Sequence, residues 1–264
     1  MTIKRCSSNI ELLIVSDTFD RAHGGEEAPL GLPVSISVAL FDLDGVLTST
    51  AVLHQNAWKQ TFDDFLRARH GEPFLPFTES DYLQYVDGRP REDGVRTFLR
   101  SRGFEVTDHL VEEIGTAKNE LVLASLKRGE VESYPGSMRY LIAVRDAGIH
   151  VGVVTSSENG RAVLDAAGLS RFVQERIDGI DISSQHLRGK PAPDSFLACA
   201  HAFGVDPHNA AVFEDALSGV QAATAGEFGY VVGVDRVGGN EHAAALRAAG
   251  ADVVVTDLAE LLPP

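Results

Sequence analysis

After residue 36 the chain alternates between short β-rich runs and helix-like segments. The β-rich runs cover residues 36–41, 149–155, 211–213, 230–234 and 252–255. The helix-like patterns cover residues 137–147, 159–167, 194–203 and 241–249. This alternation predicts an α/β fold in which helices pack on both faces of a parallel sheet. In such folds ligands bind at the carboxyl ends of the strands, so the polar residues that follow each run are the candidate site.

The region between the first two β-rich runs differs from the rest, because no β-rich run interrupts it. Apolar residues recur there at helical spacing in two segments, at Leu53, Ala57, Phe62 and Phe65, and at Leu110, Ile114, Leu121 and Leu126. We therefore predict a helical cap over residues 52–133, inserted into an α/β core formed by residues 35–51 and 134–264. Residues 1–34 contain many glycines and prolines near their end, and we expect a loosely ordered extension there.

Composition excludes several classes of partner. The 264 residues carry a formal net charge of -15, and a nucleic-acid or anionic membrane surface would instead favour lysine and arginine. No apolar run approaches the length of a membrane span. The two cysteines, Cys6 and Cys199, have no paired spacing, which favours a reducing compartment over a disulfide framework. We expect a cytoplasmic monomer with no nucleic-acid or membrane partner.

Two carboxylates, Asp42 and Asp44, follow the first apolar run in the sequence Phe-Asp-Leu-Asp-Gly-Val (residues 41–46). Residues i and i+2 of an extended strand point to the same side, so their negative charges would repel each other. Neither charge can be buried cheaply without a cation or a shared proton. The pair can hold a hard cation, and one carboxylate can attack an electrophile. The alternative is a capped turn whose acids accept hydrogen bonds from backbone amides.

Three further polar sites lie at the ends of later β-rich runs or beyond them: Thr155-Ser156-Ser157, Lys190, and Glu214-Asp215. The hydroxyl groups can bind an anion at the start of a helix, or they can simply cap that helix. The lysine precedes a proline in a rigid loop and suits a phosphate or a carboxylate, although alone it is only a loop lysine. The two acids end a strand, a position that favours a ligand over solvated loop carboxylates.

Taken in chain order, these four polar sites resemble those of the haloacid dehalogenase superfamily of phosphotransferases. Asp-x-Asp-Gly comes first, then a hydroxyl residue after a strand, then Lys-Pro, then Glu-Asp, over nearly the whole chain after residue 36. Within the superfamily the sequence is most similar to the β-phosphoglucomutase group, with further matches at Thr50, His54, Trp58, Arg91 and Lys118. The resemblance implies a Rossmann-like parallel-sheet core with an inserted α-helical cap.

The resemblance also implies roles for four catalytic residues. Asp42 is the nucleophile that forms an aspartyl phosphate, and Asp44 is the general acid and base. Thr155 and Lys190 hold the oxygens of the phosphoryl group during transfer. The implied cofactor is Mg²⁺, with ligands from the carboxylate of Asp42, the backbone carbonyl of Asp44 and the carboxylate of Asp215, and with Glu214 nearby.

For the cap, the resemblance implies substrate binding and closure. Arg91 grips the second phosphate of a sugar bisphosphate, and Lys118 and His54 couple cap closure to the acid and base. Closure excludes water, which would otherwise hydrolyse the aspartyl phosphate. Simpler explanations exist for single residues: His54 as a polar packing residue, Trp58 as a core residue, and Arg91 as the partner of an adjacent acid.

One departure from the mutase pattern concerns the sequence Ser157-Glu158-Asn159. Related mutases often have a lysine between the serine and the asparagine, so Glu158 removes a cation where a distal phosphate would lie. Ser157, Asn159 and Arg91 remain available, and Ser156 completes the predicted substrate-binding set.

Four functions follow from these observations. We expect the interconversion of β-glucose 1-phosphate and glucose 6-phosphate, a phosphorylated sugar being the substrate. The alternative is a sugar-phosphate or small phosphomonoester phosphatase, which the acid at Glu158 favours slightly. A dehalogenase fits less well, because that reaction needs neither Asp44 nor a metal. A non-catalytic phospho-ligand sensor is a further alternative, although no catalytic position lacks its residue.

Overall fold

The computed structural model describes residues 30–263. Its strands are β1 (Val38–Phe41), β2 (His150–Val154), β3 (Glu175–Ile177), β4 (Ala210–Glu214), β5 (Tyr230–Val234) and β6 (Val253–Val255). They form one sheet in the order β3-β2-β1-β4-β5-β6, and every neighbouring pair is parallel. The predicted parallel α/β sheet is confirmed.

Helices that follow β1 in the chain cover both faces of this sheet. They are α5 (Pro135–Asp146), α6 (Gly160–Ala166), α7 (Gly179–Ser184), α8 (Asp194–Ala202), α9 (Leu217–Ala225) and α10 (Asn240–Ala249). On one face Tyr140 of α5 packs in the same apolar cluster as Phe41 of β1. On the other face Phe196 of α8 packs in the same cluster as Leu40. Because β1 is buried on both faces, all four of its residues are apolar.

A helical segment separates β1 from α5, and we call residues 50–127 the helical insertion. It contains α1 (Thr50–His70), α2 (Glu79–Asp81) with a π-helical turn (Tyr82–Val86), α3 (Arg91–Ser101) and α4 (Asp108–Lys127). Its apolar residues form a cluster of their own, in which Phe62 contacts the rings of Trp58, Phe77 and Phe98 at centroid distances of 5.0, 5.0 and 4.2 Å. The helices predicted from apolar spacing are present as α1 and α4, and the exact cap boundaries stay a prediction.

The register of the central strands brings the predicted site residues together. Phe41 of β1 pairs with Val153 of β2 and with Phe213 of β4, so the three strands end at the same edge. The amide of Asp42 continues this register by donating to the carbonyl of Phe213 at 2.9 Å. Asp42, Thr155 and Glu214 therefore meet at the carboxyl edge of the sheet.

The sequence patterns did not predict three short elements of the α/β core, namely β3, α7 and α9. The strand β3 has only three residues, two of them charged, and it pairs with β2 alone at the sheet edge. The helices α7 and α9 are six and nine residues long, and both are rich in small or polar residues. Such short elements form because the sheet supplies a packing surface, which local sequence patterns do not show.

The N-terminal extension lies mostly outside the described residues, which begin at Leu30. The part that is described packs on the core: Leu30 and Leu32 are buried, and the hydroxyl of Tyr140 donates to the carbonyl of Leu30 at 2.9 Å. Within residues 30–263, no helix is both long enough and apolar enough to cross a membrane.

Candidate active site

The turn after β1 places Asp42 in the interior, where 6% of the residue is exposed. Gly45 is essential to the shape of this turn, because its φ is +86°. A Cβ atom at this position would lie 1.8 Å from Oδ2 of Asp215, so any side chain larger than hydrogen would clash with Asp215. The Asp-x-Asp-Gly sequence thus brings the β1 and β4 loops into close contact.

Lys190 lies behind Asp42 and is 1% exposed. Its Nζ donates to Oδ1 of Asp42 at 2.5 Å, to Oε1 of Glu214 at 2.6 Å and to the carbonyl of Val154 at 3.3 Å. Burial disfavours its charge, but the two carboxylates outweigh burial and raise the pKa of Lys190 above its ordinary value. The second oxygen of Glu214 accepts from the amide of Ala216 at 2.9 Å. The predicted loop lysine is therefore a buried cation with two anionic partners.

Asp42, Glu214 and Asp215 form an acidic cluster whose carboxylate oxygens lie within 4.8 Å of one another. Burial raises the pKa of Asp42, with further contributions from the charges of Glu214 and Asp44. Burial also raises the pKa of Asp215, assisted by the charges of Asp87 and Glu214. An all-oxygen donor set of this kind fits a hard divalent cation, which would favour the ionised carboxylates. These residues fit the predicted metal site.

Asp44 has different partners from Asp42. One of its oxygens accepts a hydrogen bond from the Thr50 hydroxyl and lies 3.4 Å from Nε2 of His54, and the other accepts from the Thr155 hydroxyl at 3.2 Å. Burial alone would raise the pKa of Asp44, but the His54 imidazole and the Thr50 hydroxyl hold it well below its usual range. The two aspartates are thus separated by their partners, and Asp44 contacts both the core and the helical insertion.

Lys118 of α4 is buried, and its Nζ lies 2.6 Å from Nδ1 of His54. Burial is the largest cause that lowers the pKa of Lys118, to about 7. Its ammonium also lies 5.0 Å from the ring centroid of Trp58, a residue that both packs in the insertion cluster and lines the cleft. A continuous polar chain therefore runs from Lys118 through His54 to Asp44.

A cleft of about 630 Å³, including its open mouth, lies between the helical insertion and the sheet edge. Most of the predicted site residues line it, and these are Asp42, Asp44, His54, Trp58, Arg91, Lys118, Thr155, Ser156, Ser157, Asn159 and Asp215. Thr50 contacts Asp44 from the side, whereas Lys190 and Glu214 lie buried behind Asp42. The structure thus gathers every predicted site residue around one cleft.

The sequence analysis did not predict six of the lining residues: Tyr82, Val86, Asp87, Gly88, Arg89 and Asn119. Asp87 is notable because burial raises its pKa to about 7. The Asp87-Gly88 dipeptide is a turn signal that could have located a loop here. Nothing in the local sequence indicates that this loop enters the cleft, because its position depends on how the insertion packs.

Polar contacts join the helical insertion to the core around this cleft. The Ser156 hydroxyl donates to the carbonyl of Gly88 at 2.8 Å, and the Asn159 side chain donates to that of Asn119 at 2.9 Å. The Ser157 hydroxyl accepts from the Asn159 amide at 3.2 Å, a turn before α6, whereas α6 itself has no side-chain cap, so the helix-capping alternative is wrong. Several of the predicted substrate-binding groups therefore also hold the two parts of the molecule together.

The model of the haloacid dehalogenase-like hydrolase family matches residues 36–226, a span that includes every predicted site residue. The chain belongs to the haloacid dehalogenase-like hydrolase family. The predicted superfamily membership is thereby confirmed, and so is the predicted fold, which solved members of the family share.

Relatives of this haloacid dehalogenase-like protein include mutases and phosphatases. It is 53% identical over 246 residues to a β-phosphoglucomutase of Mycobacterium bovis, covering 88% of this chain and 94% of the relative. It is 29% identical over 229 residues to the validoxylamine A 7′-phosphate phosphatase of Streptomyces hygroscopicus subsp. limoneus, covering 86% and 96%. The crystal structure of a β-phosphoglucomutase from Clostridium difficile superposes with a TM-score of 0.69 at 25% identity, covering 86% and 93%. The chain is an enzyme of phosphoryl transfer, either a phosphomutase or a phosphatase.

Proposed function

We propose that the chain is a Mg²⁺-dependent β-phosphoglucomutase that interconverts β-glucose 1-phosphate and glucose 6-phosphate through an aspartyl phosphate on Asp42. The observation that carries this proposal is the placement of Asp44. It lies beside the nucleophile and is held by Thr155 of the core and by Thr50 and His54 of the insertion. The identity to the Mycobacterium bovis β-phosphoglucomutase supports the choice of sugar.

The metal site consists of oxygen atoms at the sheet edge. The carboxylates of Asp42 and Asp215 and the backbone carbonyl of Asp44 would hold Mg²⁺, with Glu214 beside them. When bound, the ion neutralises part of the negative charge of the phosphoryl group. Lys190 adds a fixed positive charge from behind Asp42, and the Thr155 hydroxyl faces the same edge.

Each half-reaction exchanges one oxygen–phosphorus bond for another. With Asp42 already phosphorylated, a sugar hydroxyl gives its proton to Asp44 and its oxygen forms a bond to phosphorus. The bond between phosphorus and Asp42 breaks at the same time, which releases the carboxylate. In the second half-reaction Asp42 attacks the other phosphate of the bisphosphate, and Asp44 returns its proton to the leaving sugar oxygen.

The protonation state of Asp44 fits this order of events. Because its pKa is held low by His54 and Thr50, Asp44 is ionised at neutral pH and begins the cycle as a base. The cycle therefore starts from the phosphorylated enzyme, which a trace of glucose 1,6-bisphosphate supplies. Lys118 positions His54, and through it Asp44, when the insertion lies against the core.

The deciding experiment distinguishes transfer of the phosphoryl group to a sugar from its transfer to water. The pure protein is incubated with β-glucose 1-phosphate, Mg²⁺ and a trace of glucose 1,6-bisphosphate, and glucose 6-phosphate and inorganic phosphate are measured together. We expect glucose 6-phosphate to form with little free phosphate. Release of free phosphate without glucose 6-phosphate would defeat the mutase proposal.

The second candidate is a phosphatase that uses the same aspartyl phosphate and lets water take the place of the sugar hydroxyl. A specific observation favours it: Arg91 is paired with Glu158 at 2.8 Å, so the cation for a distal phosphate is already neutralised. The phosphatase from Streptomyces hygroscopicus subsp. limoneus is a relative with this type of activity in its name. A panel of small phosphomonoesters, assayed for free phosphate, distinguishes this candidate.

A further inference from the structure

Arg91 and Glu158 form an ion pair between the two parts of the molecule. Arg91 is the first residue of α3 in the helical insertion, and Glu158 lies in the core loop between β2 and α6. The Nη2 atom of Arg91 donates to Oε2 of Glu158 at 2.8 Å, and both residues line the cleft. The two side chains are 20% and 37% exposed, so the pair is shielded only in part from water.

A second acid contacts the same arginine without joining the two parts. Glu92 follows Arg91 on α3, and its Oε1 lies 3.3 Å from Nε of Arg91. Both acids therefore reduce the charge of Arg91, but only the bond to Glu158 reaches from the insertion to the core. This difference provides a matched pair of residues for an experiment.

The position of Glu158 creates competition with an anionic ligand. A phosphate that binds Arg91 at this end of the cleft accepts from its N–H groups, and Glu158 already accepts from one of them. Two anions on one guanidinium repel each other, so the phosphate binds well only if the carboxylate moves away. A ligand with an uncharged group at this end meets no such repulsion.

We propose that Glu158 is the specificity-determining residue at the Arg91 end of the cleft, which we call the distal end. It substitutes for a distal anion, holding Arg91 and the helical insertion against the core while this end is free of phosphate. While Asp42 is not phosphorylated, it thereby favours sugar monophosphates, which can place their phosphate beside Asp42, over sugar bisphosphates, which also place one at the distal end. The preference between sugar phosphates rests on the proposed function. The role of Glu158 in holding the insertion against the core rests on the ion pair alone.

The first test measures closure without any sugar. Spin labels are attached to cysteines introduced at exposed Glu112 of α4 and exposed Ala166 of α6, with Cys6 replaced by serine, and label–label distances are measured by pulsed electron resonance. In Glu158→Gln we expect the population at longer distances to rise about fivefold, the effect of losing one partly exposed ion pair. Glu92→Gln should match the parent protein. Equal distance distributions in all three proteins would overturn the proposal.

The second test measures discrimination between ligands. Binding of glucose 1,6-bisphosphate and of β-glucose 1-phosphate is measured by calorimetry in an Asp42→Asn background, which prevents turnover. We expect Glu158→Gln to raise the affinity ratio of bisphosphate to monophosphate about tenfold and Glu92→Gln to change it less than about twofold. A ratio unchanged by Glu158→Gln, or changed equally by both substitutions, would overturn the specificity assignment.

The two tests also separate this inference from the proposed function. The distance measurement contains no sugar, so it decides whether Glu158 holds the insertion even if glucose phosphates prove not to be substrates. Failure of the proposed function appears instead as the absence of glucose 6-phosphate in the mutase assay of the unmodified protein. Circular dichroism confirms that the variants remain folded.

Discussion

Two lysines are buried at the site, one on each side of the cleft. Their surroundings shift their pKa values in opposite directions. Lys190 of the core donates to two carboxylates, which raise its pKa above the ordinary value despite burial. Lys118 of the helical insertion instead contacts His54, and burial lowers its pKa to about 7. One lysine is a permanent cation, whereas the other is close to losing its proton at neutral pH.

This difference indicates that the core and the helical insertion contribute to the site in different ways. On the core side, Asp42, Lys190 and Glu214 compensate one another's charges in the interior, so the groups for phosphoryl transfer are in place before any ligand arrives. On the insertion side, His54, Lys118 and Arg91 depend on contacts with Asp44 and Glu158 across the cleft. Under the proposed function, the catalytic groups are preorganised in the core, and substrate selection depends on how the insertion packs against them.

The largest expected effect of a substitution is at Asp44, where the core and the helical insertion meet. We expect Asp44→Asn to lower turnover about 10²- to 10⁴-fold, because an amide cannot accept or return the proton. Its effect on Mg²⁺ affinity should be small, since the proposed metal contact of Asp44 is its backbone carbonyl. Turnover is measured by the mutase assay and Mg²⁺ affinity by calorimetry.

Asp215→Asn is the matched control for this prediction. It removes a proposed carboxylate ligand, so Mg²⁺ affinity should fall more than it does in Asp44→Asn. Equal losses of Mg²⁺ affinity in the two variants would show that the side chain of Asp44 is itself a ligand.

The next effect concerns stability on the core side. Lys190→Met leaves Asp42 and Glu214 buried without their shared cation, and we expect the free energy of unfolding at pH 7 to fall by about 3–5 kcal/mol. Urea unfolding measures this change. The control is Lys59→Met, which removes an ion pair whose lysine side chain is 54% exposed, and it should cost less than about 1 kcal/mol. Similar losses in both variants would contradict the charge compensation described for the core.

The smallest predicted effect, taken per pH unit, is a pH dependence on the insertion side. Below about pH 7, Lys118 is protonated in both the folded and the unfolded protein. Above pH 7 the unfolded chain keeps this proton and the folded protein loses it, so stability contributed by this group rises by about 1 kcal/mol per pH unit up to about pH 10. Lys118→Met lacks the effect, so the free energy of unfolding of wild type minus that of the variant should rise with pH.

Urea unfolding of both proteins at several pH values checks this slope. Groups that do not interact with Lys118 titrate alike in the two proteins, so they cancel in the difference. Lys59→Met should follow the wild type at every pH. Parallel stability curves for wild type and Lys118→Met would mean that Lys118 keeps its ordinary pKa in the folded protein.

The core side of the site was largely predictable from the sequence. Asp42, Thr155 and Glu214 each stand at or just beyond the end of a strand, and a parallel sheet brings such ends to one edge. Five of the six strands were visible as β-rich runs, and the central strand β1 is wholly apolar because it is buried on both faces. Lys190 was found only as part of the ordered set of motifs, since its loop has no periodic pattern.

The insertion side was predictable only through the family resemblance, and then incompletely. Spacing along α1 and α4 identified helices but not which residues would face the core. Asp87 was missed, and pairing with an adjacent acid was only the simpler alternative for Arg91, which the structure pairs with both Glu92 and Glu158. Contacts between residues 67 positions apart depend on how the insertion is placed, and local patterns contain no information about that.

The most direct test of the account is to identify the residue that carries the phosphoryl group. The protein is mixed with glucose 1,6-bisphosphate and Mg²⁺, quenched and reduced with borohydride, which converts an aspartyl phosphate into homoserine, and the peptides are mapped by mass spectrometry. We expect homoserine at position 42 in the unmodified protein and none in Asp42→Asn. Homoserine at another position, or sustained turnover with none at all, would contradict it.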